Sequence, residues 1–221
     1  KKCMDKFEGD PKDILGIGLC TIRCCRAYLK EDGTLAQPAL SWMDIRVSQP
    51  YEHVNPDVKY IVASSGYITH RLTGECKDTV ANYEYGWPVD VDKWQWSDDP
   101  EAYKATGMPR EMLFDLVMPG DVLGYVTEDA AKATGLPQGV PVVATSNDKA
   151  VEGLGTGCMG DKTACISLGT YTTAMMEGKE NLKGTSYAWP KFSSVPNKYF
   201  YDSNGIRRGM WTVSWFRDVL G

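Results

Sequence analysis

The segment that most constrains the fold is residues 141–157, with the sequence PVVATSNDKAVEGLGTG. An apolar run (140–144) continues through three small polar residues to a single carboxylate, Asp148, where a short helical pattern begins. In α/β proteins, ligands bind where a buried strand meets a helix N-terminus, because the strand is rigid and the first N–H groups of the helix lack partners. The segment therefore predicts a strand, a helix and a candidate site at Asp148.

Two interpretations of Asp148 are open at this point. As an isolated acid beside the small residues 145–147, which leave room for a substrate, it would serve as a general base. Alternatively, Asn147 or Asp148 only caps the helix by accepting from its first N–H groups, which contributes about 1 kcal/mol. The local pattern alone favours the cap, because caps are far commoner than catalytic bases.

Composition excludes several classes of protein. The 221 residues suffice for one large or two small domains, and the net charge of −5 comes from well-interspersed charges. This argues against a nucleic-acid binder or a partner of anionic membranes. No stretch has the length of a transmembrane helix and the polar start does not resemble a secretory signal, so we expect a cytoplasmic protein.

The cysteines predict neither a disulfide framework nor a zinc site. Their number, seven, is odd, no C-x-x-C spacing occurs, and the sequence has only two histidines. We expect most of them to be reduced and buried as small hydrophobic side chains, and Cys24–Cys25 is the one candidate for a reactive pair. A thiol-redox or metal protein is therefore a distant alternative.

Hydrophobic periodicity and turn residues predict the remaining elements. We expect a hairpin turn at 31–34 and an irregular aromatic region at 78–96. Strands are predicted at 14–20, 27–29, 38–46, 140–144, 163–168, 172–176 and 199–202, and helices at 55–74, 100–106, 128–134 and 205–220. The glycine-dense stretches 153–160 and 167–170 suit a phosphate-facing backbone, but each alone is a weak motif.

Six segments occur along the chain in an order that carries more information than any one of them. They are GIGLCTIR (16–23), EDGT (31–34) followed by PALSWMDIR (38–46), HRLTGE (70–75) with Asp78 and Asn82, LGYVTEDAAKATGLPQGVPVVATSNDKAVEGLGTG (123–157), SLGTYTT (167–173) and YFYDSNGIRRGMWTVSWFRD (199–218). This order resembles the FGGY family of carbohydrate kinases, which includes glycerol, xylulose, ribulose and gluconate kinases.

The resemblance implies an α/β fold of the actin-like, hexokinase type (ribonuclease H-like), with a mixed sheet and flanking helices, here incomplete. Residues 1–160 would form the N-terminal sugar-binding domain without its first phosphate-loop hairpin. Residues 161–221 would begin the C-terminal nucleotide-binding domain. Since the first phosphate loop and most of the ATP domain of the family have no counterpart here, we expect this chain alone to be inactive.

The resemblance also implies roles for individual residues, with ATP and Mg²⁺ as cofactors and no residue of this chain assigned to the metal. Asp148 matches the catalytic aspartate and also contacts the substrate. Arg23 and Trp42 match substrate-binding positions, and Asp44 and Arg46 would brace Trp42. The nucleotide phosphates would bind at Gly169, Thr170 and Gly209.

For two of these residues a structural role competes with binding. Trp42 suits core packing as well as a sugar-facing wall, and Arg23 suits a structural ion pair as well as a ligand contact.

Three departures from the family pattern bear on substrate specificity and, for Gly209-Met210, on nucleotide contacts. The connection Ser48–Asp57 is shorter than usual, Cys24 stands where glycerol kinases have an acid, and Gly209-Met210 replaces a common Gly-Gly. The change at Cys24 argues against glycerol as the substrate.

We therefore predict ATP-dependent phosphorylation of a sugar or polyol hydroxyl. The alternative is a non-catalytic sugar-binding regulator that keeps the fold. The expected partner is a small-molecule sugar or polyol, without nucleic acid or membrane, and a homodimer is an open alternative to a monomer.

Overall fold

The computed structural model describes residues 1–169, 171–186 and 188–221. The chain divides into two compact units, Lys1–Asp148 and Lys149–Gly221. The predicted domain boundary after residue 160 stays a prediction.

The first unit contains nine short strands and the helices between them. Its strands are β1 (Ile17–Thr21), β2 (Arg26–Leu29), β3 (Tyr60–Ala63), β4 (Lys77–Thr79), β5 (Val89–Asp90), β6 (Gln95–Trp96), β7 (Asp115–Val117), β8 (Val122–Tyr125) and β9 (Pro141–Asn147). Its helices are α1 (Ser64–Thr73), α2 (Pro100–Thr106) and α3 (Glu128–Thr134), and α4 (Asp148–Gly155) begins at the boundary.

Strand β9 forms the centre of a three-stranded sheet in the order β1-β9-β8. It runs parallel to β1, with Thr21 opposite Asn147, and antiparallel to β8. Apolar side chains from β8, β9 and α3 form one core, in which Leu123, Val142 and Ala144 are buried. Because β1 and β9 are parallel, their carboxyl ends lie at the same edge of the sheet.

The predicted helix at 55–74 is wrong in its first half. Residues Tyr60–Ala63 form β3, which pairs antiparallel with β2, and only Ser64–Thr73 is helical. The β-branched pair Ile61 and Val62 favours an extended backbone that packs against a neighbouring strand. The predicted end is confirmed, since Gly74 closes the helix in the left-handed conformation, with φ of 76°.

The predicted strand at 38–46 is also wrong. Leu40 forms only an isolated bridge with Arg26, and Ile45–Ser48 is a 3₁₀ turn started by the Asp44 carboxylate, which accepts from Arg46 N. An Asp side chain that bonds its own backbone two residues ahead offers the chain an alternative to a strand. The turn at 31–34 is present, and β2 pairs with β3.

Several sequence predictions are confirmed closely. Helices α2 and α3 have the predicted bounds, and Gly107 and Gly135 end them in the left-handed conformation. The region 78–96 is irregular apart from the end of β4, a 3₁₀ turn, β5 and β6. It packs Tyr83, Trp87 and Trp96 into an aromatic core. Aromatic side chains bury enough area to organise a region that has little regular structure.

The second unit is an antiparallel sheet with the order β10-β11-β13-β12, in which β14 also pairs with β11. Its strands are β10 (Ala164–Leu168), β11 (Tyr171–Gly178), β12 (Ala188–Phe192), β13 (Tyr199–Ser203) and β14 (Ile206–Arg207). The predicted strands at 163–168, 172–176 and 199–202 are confirmed, whereas β12 and β14 were not predicted. Buried Cys158, Met175 and Phe200 form its core.

Helix α5 spans Gly209–Leu220 and therefore begins later than the predicted residue 205. Residues 206–207 are held in β14 by pairing with the start of β11, which keeps them out of the helix. None of the residues of α5 is buried, so its predicted apolar side chains are exposed.

Candidate functional site at the carboxyl ends of β1 and β9

Asp148 is the first residue of α4 and directly follows the last residue of β9. This confirms the predicted passage from strand to helix. Its side chain is 36% exposed, so the carboxylate is accessible to a small molecule. A carboxylate in the first helical turn is favoured by the helix dipole, and this position allows capping and proton transfer in the same residue.

The strand end before Asp148 is fastened by hydrogen bonds from small polar side chains. Thr145 Oγ1 donates to the carbonyl of Leu19 in β1, and Thr79 Oγ1 donates to Thr145 O at 2.5 Å. Asn147 Nδ2 donates to Ala81 O at 3.3 Å. These bonds tie β1, β4 and the following 3₁₀ turn to β9, which fixes the backbone from which Asp148 projects.

The sequence reasoning expected residues 145–147 to leave space for a sugar. Ser146 and Asn147 are instead buried at 0% and 1% exposure. Hydrogen bonds within the strand junction, from Asn147 Nδ2 to Ala81 O and to Ser146 Oγ, offset the cost of burying these polar groups. These two side chains therefore belong to the scaffold rather than to an open substrate surface.

Arg23 lies just beyond the end of β1, on the same sheet edge as Asp148. Its Nε atom is 3.8 Å from Oδ1 of Asp148, and the Arg23 side chain is 21% exposed. The parallel register that sets Thr21 opposite Asn147 explains why two residues so far apart in sequence meet. The ion pair that the sequence offered for Arg23 is therefore present, and its partner is Asp148. The next residue, Cys24, has a φ of 60°.

Asn82 lies next to this edge, and its role was not assigned from the sequence. Asn82 Nδ2 donates to Thr21 Oγ1 at 3.3 Å, while Asn82 Oδ1 is buried and has no hydrogen-bond partner in the part of the chain that the structure describes. Buried acceptors normally have a partner, which here would be a water molecule or a ligand. Only its position in the HRLTGE-Asp78-Asn82 segment could have drawn attention to it.

Asp78 is a fully buried carboxyl group that braces the same region. Its Oδ2 accepts from Ser65 Oγ at 2.8 Å and from Tyr83 OH at 2.7 Å, and its Oδ1 accepts from Thr79 N at 2.7 Å. Burial raises the pKa of Asp78 to about 7, although the hydrogen bonds oppose the shift. This group therefore connects α1 and β4 with the 3₁₀ turn that carries Asn82.

Trp42 is 52% exposed, which excludes the core-packing interpretation. It lies in the turn before the 3₁₀ turn 45–48, where Asp44 accepts from Arg46 Nε at 2.9 Å and from Arg46 Nη2 at 2.5 Å. That pair holds the start of the 3₁₀ turn that follows Trp42, and its expected role in bracing the Trp42 indole stays a prediction.

In the second unit the structure brings two of the predicted phosphate-binding glycines together. Met210 N, at the start of α5, donates to Gly169 O at 3.1 Å, so Gly169 adjoins the helix that begins at Gly209. A Cβ atom on Gly209 would overlap Thr172 Oγ1, so close packing also requires a glycine there. Thr170, the third predicted phosphate contact, lies outside the described residues.

Among the described residues, no three His, Cys, Asp or Glu side chains form a group that could hold a metal ion. None of the seven cysteines, all of which the structure describes, forms a disulfide. Only Cys158 is buried, so the expectation that most of them are buried is wrong.

Within the described part of the chain, no helix combines the length and the apolar character that crossing a membrane requires.

Comparison of the sequence with models of protein families identifies the relatives of this chain. Residues 47–155 match the N-terminal domain of the FGGY family of carbohydrate kinases. The chain belongs to the FGGY family of carbohydrate kinases. The family resemblance expected from the order of the motifs is therefore confirmed.

Curated relatives agree with this assignment. The chain is 56% identical over 218 residues to "Uncharacterized sugar kinase YgcE" of Escherichia coli (strain K12), covering 99% of this chain and 44% of that protein. It is 30% identical over 116 residues to the L-fuculokinase of the same organism, covering 52% of this chain and 24% of that protein. The chain thus spans less than half the length of these curated relatives.

Solved structures show the same fold. Xylulose kinase from Rhodospirillum rubrum superposes with a TM-score of 0.80 at 17% identity, covering 99% of this chain and 52% of that chain. Ligand-bound xylulose kinase from Lactobacillus acidophilus gives a TM-score of 0.84 at 14% identity, covering 100% of this chain and 51% of that chain. The predicted actin-like α/β fold is confirmed.

Proposed function

We propose that the full-length protein transfers a phosphoryl group from ATP to a hydroxyl group of a sugar or polyol. The observation that carries this proposal is the position of Asp148, accessible at the junction of β9 and α4 and 3.8 Å from Arg23. Membership of a family of carbohydrate kinases supports it. Relatives named as a sugar kinase and as an L-fuculokinase agree with a sugar as the acceptor.

In the proposed reaction Asp148 accepts the proton of the attacking hydroxyl while the hydroxyl oxygen bonds to phosphorus. A positioned carboxylate base typically contributes about 10²–10⁴-fold to the rate. Arg23 would orient a second hydroxyl and hold the Asp148 carboxylate in place, and the exposed Trp42 indole would contact an apolar face of the sugar.

The start of α5 suits the phosphates of a nucleotide. It is the N-terminus of a 12-residue helix, and Gly169 adjoins it through the bond from Met210 N. First-turn N–H groups and the helix dipole favour anions. ATP would supply the phosphoryl group when bound there, with Gly169, Thr170 and Gly209 as the proposed contacts.

Among the described residues, no group of three or more His, Cys, Asp or Glu side chains could hold a Mg²⁺ ion. Mg²⁺ keeps several water molecules and is commonly held through substrate phosphates together with one or two carboxylates. We therefore assign no step of the reaction to a metal ligand of this chain. A cytoplasmic location and a homodimer stay predictions.

One observation favours the second candidate, a sugar-binding regulator that does not transfer phosphate. Close packing against Thr172 by itself accounts for a glycine at position 209, so Gly209 is no independent sign of nucleotide binding. Asp148 favours the kinase, because a sensor needs no general base.

A panel of pentoses, hexoses and polyols assayed with ATP and the full-length protein tests the proposal. We expect phosphorylation of at least one sugar, together with binding of sugar and ADP in calorimetric titrations. Sugar binding without nucleotide binding or turnover would replace the kinase by the regulator. Turnover by residues 1–221 alone would contradict the proposed inactivity of this chain.

A further inference from the structure

Lys149, the second residue of α4, directs its ammonium group towards the end of β10. Its Nζ atom lies 2.8 Å from Glu152 Oε2 and donates to Ser167 Oγ at 3.0 Å. Ser167 Oγ lies 3.5 Å from the same Glu152 oxygen. All three residues belong to the second unit, and the Lys149 side chain is 21% exposed against 48% for Glu152.

This arrangement is more than a surface ion pair along one helix. An exposed pair three residues apart needs no third partner, and it leaves the lysine ammonium well hydrated. Here the Lys149 ammonium donates to Ser167 of β10, and the Lys149 side chain is mostly shielded from solvent. The partner on the strand, Ser167, precedes Gly169 by two residues, and Gly169 is one of the proposed phosphate contacts.

The same end of the sheet carries the start of α5. Gly169 O accepts from Met210 N at 3.1 Å, which joins the end of β10 to the helix N-terminus. The ammonium group on Ser167 therefore lies two residues along the chain from Gly169, whose carbonyl bonds the first turn of a helix, and a helix N-terminus favours anions. A lysine ammonium is a compact point charge that suits phosphate oxygens. Because the Lys149 ammonium is mostly shielded from water, its electrostatic attraction to a phosphate would be stronger than at an exposed site.

We propose that Lys149 is a phosphate-binding residue that contacts a nucleotide phosphate at the Ser167–Gly169 turn. The proposal rests on the proposed kinase function. Without nucleotide, Glu152 and Ser167 hold the ammonium in position. A phosphate group would replace Glu152 as its counter-ion, so the lysine would be preorganised rather than recruited.

The test compares Lys149→Met with Lys132→Met in the full-length protein. Lys132 is the matched control, since it forms an exposed ion pair with Glu128 at 2.6 Å within α3. We expect Lys149→Met to weaken ADP binding by about 10-fold or more in calorimetric titrations and to raise the KM for ATP similarly. The KM for the sugar should change by less than about twofold, and Lys149→Arg should restore most of the ADP affinity.

Glu152→Gln separates this role from a purely structural one. If Lys149 binds phosphate, removing its competing carboxylate leaves ADP affinity unchanged or increases it. If the pair only stabilises α4, Lys149→Met and Glu152→Gln would lower the melting temperature alike and leave ADP affinity unaltered, which overturns the proposal. Should Lys149→Met not fold, Ser167→Ala serves instead, with a loss of ADP affinity expected and an unchanged affinity contradicting the proposal.

The ADP titration also distinguishes the failure of this proposal from that of the kinase function. Loss of ADP affinity in Lys149→Met supports the role of Lys149 even if no sugar in the panel is phosphorylated. Turnover with normal ADP affinity in Lys149→Met overturns it while the kinase function stands. Absence of ADP binding in the wild type overturns both.

Discussion

The Nε atom of Arg23 lies 3.8 Å from Oδ1 of Asp148, although 124 residues separate the two in sequence. The contact exists because β1 and β9 run parallel and end at one edge of the sheet. An arginine beside a carboxylate fixes its orientation and keeps a positive charge near any substrate hydroxyl that binds there. The contact agrees with the structural interpretation of Arg23, and its contact with a ligand stays a prediction.

Asp148→Asn in the full-length protein should lower kcat by about 10²–10⁴-fold, because asparagine accepts no proton from the substrate hydroxyl. The measurement is a coupled assay with the sugar that the panel identifies. Asp129→Asn, on α3, is the control and should retain wild-type turnover. Near wild-type turnover of Asp148→Asn would leave only the capping role for this residue.

Arg23→Met should raise the KM for the sugar by about 10-fold or more while the KM for ATP stays within about twofold. The reason is that Arg23 adjoins Asp148 on the proposed sugar side. Arg71→Met, an exposed change on α1, serves as the control. If Arg23→Met altered only the melting temperature, a purely structural ion pair would be the better interpretation.

Trp42→Ala should change the free energy of unfolding by less than about 0.5 kcal/mol, because the indole is half exposed. It should nevertheless weaken sugar binding by about 10-fold if the indole contacts the substrate. Trp96→Ala is the contrasting variant. In the wild type the buried Trp96 indole donates to Phe114 O at 2.8 Å. Trp96→Ala should therefore lower the free energy of unfolding by about 3–5 kcal/mol. Sugar affinity that does not respond to Trp42→Ala removes this residue from the site.

Asp78 should make the stability depend on pH. Its pKa is raised from 3.8 to about 7 by burial, so the folded protein keeps a proton that the unfolded chain releases. The group therefore stabilises the fold at low pH, and its contribution is lost as the pH rises from about 4 to about 7, by about 4 kcal/mol in total.

Denaturant unfolding at several pH values between 5 and 8 measures this effect. Asp78→Asn, which does not titrate, should flatten the pH dependence in that window, while the exposed Asp57→Asn should not. An identical pH profile for wild type and Asp78→Asn would show that Asp78 is already ionised in the folded protein at low pH.

Gly209→Ala should destabilise the second unit by about 1–3 kcal/mol, because the added Cβ overlaps the Thr172 side chain. Gly155→Ala is the control, since a Cβ there meets nothing within 4 Å at the end of α4, and it should be neutral or slightly stabilising. Circular dichroism during thermal unfolding compares the two. Equal melting temperatures would mean that α5 shifts to make room.

Local sequence signals correctly predicted the elements that have capping residues at their ends. Helices α2 and α3 have a capping side chain at one end and a glycine in the left-handed conformation at the other, so their bounds are encoded within a few residues. The passage from β9 into α4 was predicted from another local pattern, an apolar run followed by small polar residues and an acid. These predictions were confirmed because each element depends on residues that are neighbours in the sequence.

The errors arose where pairing with distant residues decides the conformation. Residues 60–63 have a helical pattern of apolar positions, yet they form β3 because β2 offers a hydrogen-bonding partner and both strands bury their side chains. In the same way, β14 pairs with β11 and delays the start of α5. Such partners are not visible in a local window.

The sequence by itself determined the family, through the order of its motifs, and it identified Asp148 as the candidate base. Only the tertiary structure decided that Arg23 meets Asp148, that Ser146 and Asn147 are buried in the strand junction, and that Lys149 lies on Ser167. The physical reason is that motif order and strand-to-helix junctions depend on residues that are consecutive in the sequence. Contacts between side chains depend on strand register and packing, which arise only when remote segments meet.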